Sequence, residues 1–177
     1  MYHTAPVDAR QRELTEEILV PGIDAVMEDL TAMRADFDRR MKRIVRKKQH
    51  RINKVPPRFG EYDIRYYPIG YCGQIRNDVH AQVQKAIRDP AKPGMRVLRR
   101  FVARGGIFKA VYGIQHGDYF QNGMQAGDYW IDVAADTVDT TQSPLDYERL
   151  SLSGFEDMRD FERVGNVLES YLGYEVY

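Results

Sequence analysis

Residues 107–134 read IFKAVYGIQHGDYFQNGMQAGDYWIDVA. Within this stretch 107–114 (IFKAVYGI), 119–126 and 128–134 are each rich in the aliphatic and aromatic residues that favour strands, and Gly127 marks a turn between the last two. Links this short cannot carry a parallel crossover, so the three segments predict an antiparallel sheet. Working outward, EYDIRYY at 61–67 reads as a further strand, followed by a turn at Pro68–Tyr71. Cys72 to Arg88 reads as a helix with Ile75, Val79, Val83, Ala86 and Ile87 on one face. Met95 to Arg104 is a second helix, closed by the capping pair Gly105-Gly106.

Toward the N-terminus, 7–20 reads as a short helix ended by Pro21-Gly22. A long helix then runs from about Ile23 to about Ile52, its apolar stripe formed by Ile23, Val26, Met27, Leu30, Met33, Phe37, Met41, Ile44 and Val45. Such a helix needs a partner, either the body of the protein or a second copy. Beyond the strands, 136–144 is polar and loop-like. Ser153 and Glu156 stand at capping-box spacing, which predicts a last helix along Phe155, Met158, Phe161, Val164, Leu168 and Tyr171, ended by Gly173. The fold class is therefore α+β, an antiparallel sheet of about four strands flanked by helices. Residues 1–55 form an N-terminal helical segment packed on a core of 56–177.

The composition suits this. Hydrophobic residues make up 43% of 177 and charged residues 29%, enough for a packed core. The one cysteine, Cys72, rules out an intramolecular disulfide or a cysteine-based zinc site within one chain. The first ten residues hold Asp8 and Arg10 and no apolar run, so they do not read as a signal peptide. No stretch approaches the ~20 apolar residues of a membrane span. A soluble, cytoplasmic protein is expected, with no cofactor.

Charge is unevenly placed although the net is zero. Arg39–Lys54 (RRMKRIVRKKQHRINK) carries nine Lys or Arg and no acid, whereas 118–177 carries thirteen acids against three Arg. The two regions could neutralise each other within the fold or across a dimer, or serve as separate surfaces. Arg39, Arg43, Arg46, Lys47 and Arg51 are the candidate partner-binding residues. Nucleic acid is the less favoured partner, since the run lacks the interleaved aromatics of single-strand binders and the chain is not basic overall.

The segment that points to chemistry is Gly70-Tyr71-Cys72-Gly73 ahead of an amphipathic helix. A cysteine at a helix N-terminus faces unpaired N–H groups and the positive end of the dipole, which favour a nucleophilic thiolate. His116 follows the 107–114 strand, and Asp132 and Asp136 lie on or after 128–134. Nucleophile, base and orienting acid could take this order.

At these residues the chain resembles the transglutaminase-like branch of the papain-like cysteine enzymes. There a G-x-C segment opens a helix, a glycine-rich step leads into a strand, a histidine begins the next strand, and an acid follows a G-x-W segment. Gly70-Tyr71-Cys72, Arg104-Gly105-Gly106-Ile107, His116 and Gly127-Asp128-Tyr129-Trp130-Ile131-Asp132 resemble these pieces, over about residues 66–137. The resemblance implies thiol-mediated hydrolysis or acyl transfer at an amide, with Cys72 as nucleophile, His116 as base and Asp132 (alternatively Asp136) as orienter. The family's aromatic two residues after histidine is absent, the chain reading His116-Gly117-Asp118. Gln121 or Phe120 could hold the histidine position instead, which would leave an inactive relative.

Alternative readings stand beside these. Cys72 continues its helix's apolar face and suits a packed core thiol. His80 and His50 sit among polar helix positions and are expected to face solvent. Asp118 and Asp128 are weak metal candidates that lack calcium-loop spacing. His116-Gly117-Asp118 has H-x-D spacing, but no later histidine completes a facial triad. The expected function is a binding or protein-interaction domain whose partner is another protein or a second copy, with the long helix as the candidate surface for self-association; the alternative is the cysteine enzyme.

Overall fold

β1 (Phe108–Gln115) and β2 (Tyr119–Ala126) pair antiparallel along their whole length, Phe108 opposite Ala126 and Gln115 opposite Tyr119. His116 (φ 53°) and Gly117 (φ 78°) turn the chain between them with the paired positive φ angles of the tight hairpin whose twist matches the strands. The computed structural model describes residues 2–52 and 66–173, with the side chains of 48–52 outside the description. β3 (Tyr129–Asp132) continues the hairpin run, and two short strands, β4 (Asp146–Arg149) and β5 (Phe155–Asp157), complete a five-stranded antiparallel sheet in the order β4-β3-β2-β1-β5.

The two late strands correct the expected pattern. Phe155 does not begin a helix: it pairs with Gln115 in the sheet, and its ring stacks on Trp130 at 4.2 Å. The last helix, α5, starts at Phe161, capped by Asp160, whose carboxylate accepts from the amides of Glu162 and Arg163. Gly173 ends it at φ 69°, as expected. Residues 61–65 of the expected first strand lie outside the described residues, and Tyr66 and Tyr67 belong to a turn.

Alternation gives the sheet two faces. Met124, Ala126, Tyr129 and Ile131 are buried on one, in the same core as the helices. On the other lie Val111, Gly113, Gln115, Gln121, Gly123, Gln125, Trp130 and Asp132. Gly123 is required there, because a Cβ would stand 2.2 Å from the Trp130 ring.

The helical layer begins with α1 (Ala9–Leu14), one π turn (Thr15–Leu19) and one 3-10 turn (Val20–Gly22), which run directly into α2 (Ile23–Ile52). Pro21-Gly22 therefore does not break the path. Proline sits in the first turn of new helix, where its missing N–H costs nothing. α3 spans Cys72–Ala86 and α4 spans Pro93–Ala103. α4 starts two residues earlier than expected, with Pro93 in its first turn, and ends in a Schellman motif: Gly106 N donates to Phe101 O and Gly105 N to Val102 O.

α2 buries Ile23, Val26, Leu30, Met33 and Phe37 in the common core. From Asp38 to Lys47 no side chain is fully buried; Met41 still packs partly on the core, and Ile44 is 38% exposed. Among the described residues no helix is long and apolar enough to cross a membrane.

Candidate functional site

Cys72 is the first residue of α3 and is half-buried against the core. Its Sγ accepts a hydrogen bond from Asn122 Nδ2 at 3.3 Å. Asn122 is oriented by Arg76, whose Nη2 donates to the amide oxygen at 2.6 Å. Arg76 is itself buried, donates from Nη1 to Val111 O at 3.0 Å and lies 4.7 Å from the Tyr2 ring. Burial lowers its pKa.

Neighbouring strand residues point to opposite faces. Asn122 meets Cys72 on the helix-covered face, and Gln121 points the other way, donating from Nε2 to Asp132 Oδ2 at 2.8 Å. His116 and Asp132 line one polar cavity of about 60 Å³ on this second face. Two of the expected residues are thus brought together, while Cys72 sits across the sheet from them. Gln121, the alternative to the histidine, makes the contact with the acid. Asp136, the alternative acid, is engaged by Arg34 through two hydrogen bonds.

Asp132 is buried, and its Oδ1 accepts from Ala134 N at 2.7 Å. Burial pushes its pKa up to about 7; the bonds from Ala134 and Gln121 oppose the shift, and the charges of Asp146 and Asp136 add to it. Asp146 stands directly opposite Asp132 across the β3–β4 pair, and Glu148 opposite Trp130. Both acids line the cavity, as do Trp130, Tyr119, Gln115 and Ser153. Gln115 Nε2 donates to the Ser153 carbonyl and lies 3.3 Å from His116 Nε2. His116 N donates to Gly154 O at 2.9 Å, and its ring packs so closely on Gly154 that a Cβ there would stand 2.3 Å from Nδ1. The positive φ of His116 serves the hairpin turn and aims its ring along the cavity wall.

Gln115, Trp130, Asp146, Glu148 and Ser153 were not singled out from the sequence as site residues. The one local sign was the period-two pattern Asp146-Tyr147-Glu148, which sets two acids on one strand face. The weak metal candidates separate. Asp118 is exposed in the β1–β2 turn, while Asp128, in the β2–β3 turn at the far end of β2, faces Arg149 at 3.4 Å. Among the described residues, no group of three His, Cys, Asp or Glu could hold a metal ion. His80 does not face solvent: it is half-buried, stacks on Phe108 at 5.5 Å, and burial lowers its pKa. His50 lies outside the described side chains.

The basic helix divides in two. Arg39 and Arg40 pair with Asp36, and Arg40 also with Asp78 on α3. Lys42, Arg43, Arg46 and Lys47 have no ion-pair partner among the described residues, and all four are exposed. The side chain of Arg51 lies outside the described residues. Across the molecule, Met158, Arg159, Asp160, Phe161 and Val164 line a groove of about 230 Å³ at the start of α5, with Phe161 94% exposed. No family model, curated protein or solved structure matches the chain.

Proposed function

We propose that the protein is an interaction domain that self-associates head to tail, the distal turns of α2 in one copy docking on the α5 groove of the next. The observation that carries this reading is the exposed set Lys42, Arg43, Arg46 and Lys47 on α2, without ion-pair partners among the described residues. Most of the α2 stripe is already committed to the chain's own core, so little remains for a parallel coiled coil. What remains is a short apolar edge, Ile44 and Val45, rimmed by cations, while Met41 packs partly on the core. The α5 groove offers the complement: Met158, Phe161 and Val164 beside Asp160, with the lining Arg159 already paired to Asp157. Unlike surfaces on one chain build rings or filaments rather than a closed two-fold pair.

A thiol mechanism has less support, since Cys72 meets Asn122 while His116 and Asp132 share a cavity on the opposite sheet face.

The test is mass in solution by light scattering at low and high salt. The expected result is a species larger than a monomer that dissociates as salt screens the cations. Arg43→Glu with Arg46→Glu on α2, and separately Phe161→Ser on α5, should each give a monomer. Mixing the two variants should restore a dimer, because each retains the surface the other lacks. A monomer under all conditions overturns the reading, and a monomer that binds a DNA duplex transfers the same cations to phosphate.

A further inference from the structure

The cavity on the second sheet face gathers three acidic side chains beside neutral polar groups such as Tyr119, Gln142 and Ser153. Asp132, Asp146 and Glu148 supply carboxylate oxygens, and no lysine or arginine is among its lining residues. Gln115 is 6% exposed, yet its Oε1 has no hydrogen-bond partner, because the amide nitrogen takes the Ser153 carbonyl and fixes which way the amide faces. A buried acceptor left unpaired costs free energy unless something donates to it. Trp130 adds an aromatic wall, its outer side held by Phe155.

We infer that this cavity is a binding site for a small organic cation bearing N–H donors, an alkylammonium or guanidinium head group. Three features select that class. The lining is anionic, so an anion is excluded. Among the described residues no group of three His, Cys, Asp or Glu could hold a metal ion, whereas several N–H groups on one head can reach separate acceptors. Trp130 offers a ring edge or face to such a head, and the volume of about 60 Å³ holds roughly two waters or one head of this size. The site is independent of the α2 and α5 surfaces and does not rest on the self-association reading.

The head group could come from a free amine or from a lysine or arginine side chain, and the experiment separates them. The chain has one tryptophan, so Trp130 fluorescence reports the cavity directly. Ethylguanidinium chloride and ethylammonium chloride are titrated into the full chain, with tetramethylammonium chloride as the cation lacking N–H and a Gly-Arg-Gly peptide as the side-chain source. The expected result is a saturable change with an affinity on the order of millimolar for at least one N–H cation. If the free cations bind and the peptide does not, the ligand is a small molecule; binding of the peptide assigns a side chain.

Gln115→Met removes the buried acceptor at similar volume, and Glu148→Gln removes an exposed charge with little risk to folding. Each should weaken binding by about fivefold or more. No saturable response up to about 100 mM, a level at which even very weak sites fill, overturns the proposal. So does an equal response to tetramethylammonium, or unchanged affinity in folded Glu148→Gln.

Discussion

Arg34 on α2 grips Asp136 with both prongs of its guanidinium, Nη1 to Oδ1 at 2.8 Å and Nη2 to Oδ2 at 2.9 Å. The same group donates from Nε to Asp38 at 2.9 Å and from Nη1 to the Val133 carbonyl at 2.8 Å. Burial alone would lower the Arg34 pKa, but the bonds to Asp136 and Asp38 reverse the sign and the net shift is upward. One buried side chain thus fixes the long helix to the segment that follows Asp132. Removing one partner of such a pair strands the other. Asp136→Asn is expected to lower the unfolding free energy by about 3 kcal/mol, measured by urea denaturation. The double variant Arg34→Met, Asp136→Leu should lose less than the single one, because both charges of the buried pair are then removed and, of the charges left, only the partly exposed Asp38 loses a partner.

Asp132 makes stability depend on pH in the direction opposite to a paired carboxylate. Its folded pKa, about 7, lies above the ordinary 3.8. Between those values the folded chain holds a proton that the unfolded chain has released, so stability falls as pH rises through this window and the full penalty applies above it. The nearby titratable and charged groups are Asp146, Asp136 with its partner Arg34, Tyr119, His116 and Glu148. The unfolding free energy from urea denaturation is expected to drop between pH 5 and pH 8, by up to roughly 1.4 kcal/mol for each pH unit spent in the window. Asp132→Asn should flatten that drop. A carbonyl-carbon NMR titration of Asp132 that gave an ordinary carboxylate value would sink the argument.

The sheet's centre was legible because its information is local. β1, β2 and β3 are joined by turns of a few residues, each carrying its own glycine, so strand and turn chemistry agree over 107–134. β4 and β5 were invisible for the opposite reason. Asp146–Arg149 and Phe155–Asp157 are short and largely polar, and what makes them strands is pairing with β3 and β1 far away in sequence. The same cause misplaced the last helix. Ser153 and Glu156 have capping spacing, but the stack of Phe155 on Trp130 claims that residue for the sheet. Of the site, Asp132 and His116 could be named in advance. Gln115 could not, since its orphaned oxygen depends on the position of Ser153.

Gly94 is where α4 meets α2. A Cβ at that position would stand 2.2 Å from the Ala25 carbonyl oxygen and 2.6 Å from Val26 Cα, both backbone atoms that no rotamer change can move aside. The close approach also lets Asp29 accept from the Met95 amide at 3.1 Å and so cap α4 from a neighbouring helix. Gly94→Ala gains helix propensity of about 1 kcal/mol, but the enforced separation should outweigh it, giving a net loss of roughly 1–3 kcal/mol in thermal or urea unfolding. Gly105→Ala, with no atom within 4 Å of its Cβ but φ at 93°, isolates the backbone cost alone.

The N-terminal segment is held to the sheet by two polar clasps, and each can be opened separately. Ala5 N donates to Gln125 Oε1 at 2.7 Å, and Gln125 Nε2 returns a bond to Ala5 O at 2.9 Å, so the side-chain amide stands in for a strand partner. Thr4 donates to Asp157 from both N and Oγ1, at 2.7 and 2.8 Å. Those bonds, with Arg159, bring the Asp157 pKa below its ordinary 3.8 although burial acts to raise it. Its contribution is therefore present above that value and is lost as pH falls through the lower folded pKa. Gln125→Met keeps the volume and removes both bonds to Ala5. It should cost about 1–3 kcal/mol and speed amide exchange at Tyr112, whose N–H donates to the Tyr2 carbonyl at 2.8 Å. Asp157→Asn should speed the same exchange at neutral pH, and by less as pH falls through the lowered folded pKa of the parent's carboxylate. Equal protection of Tyr112 in parent and Gln125→Met would mean that the Asp157 clasp and the backbone bonds hold the segment without Gln125.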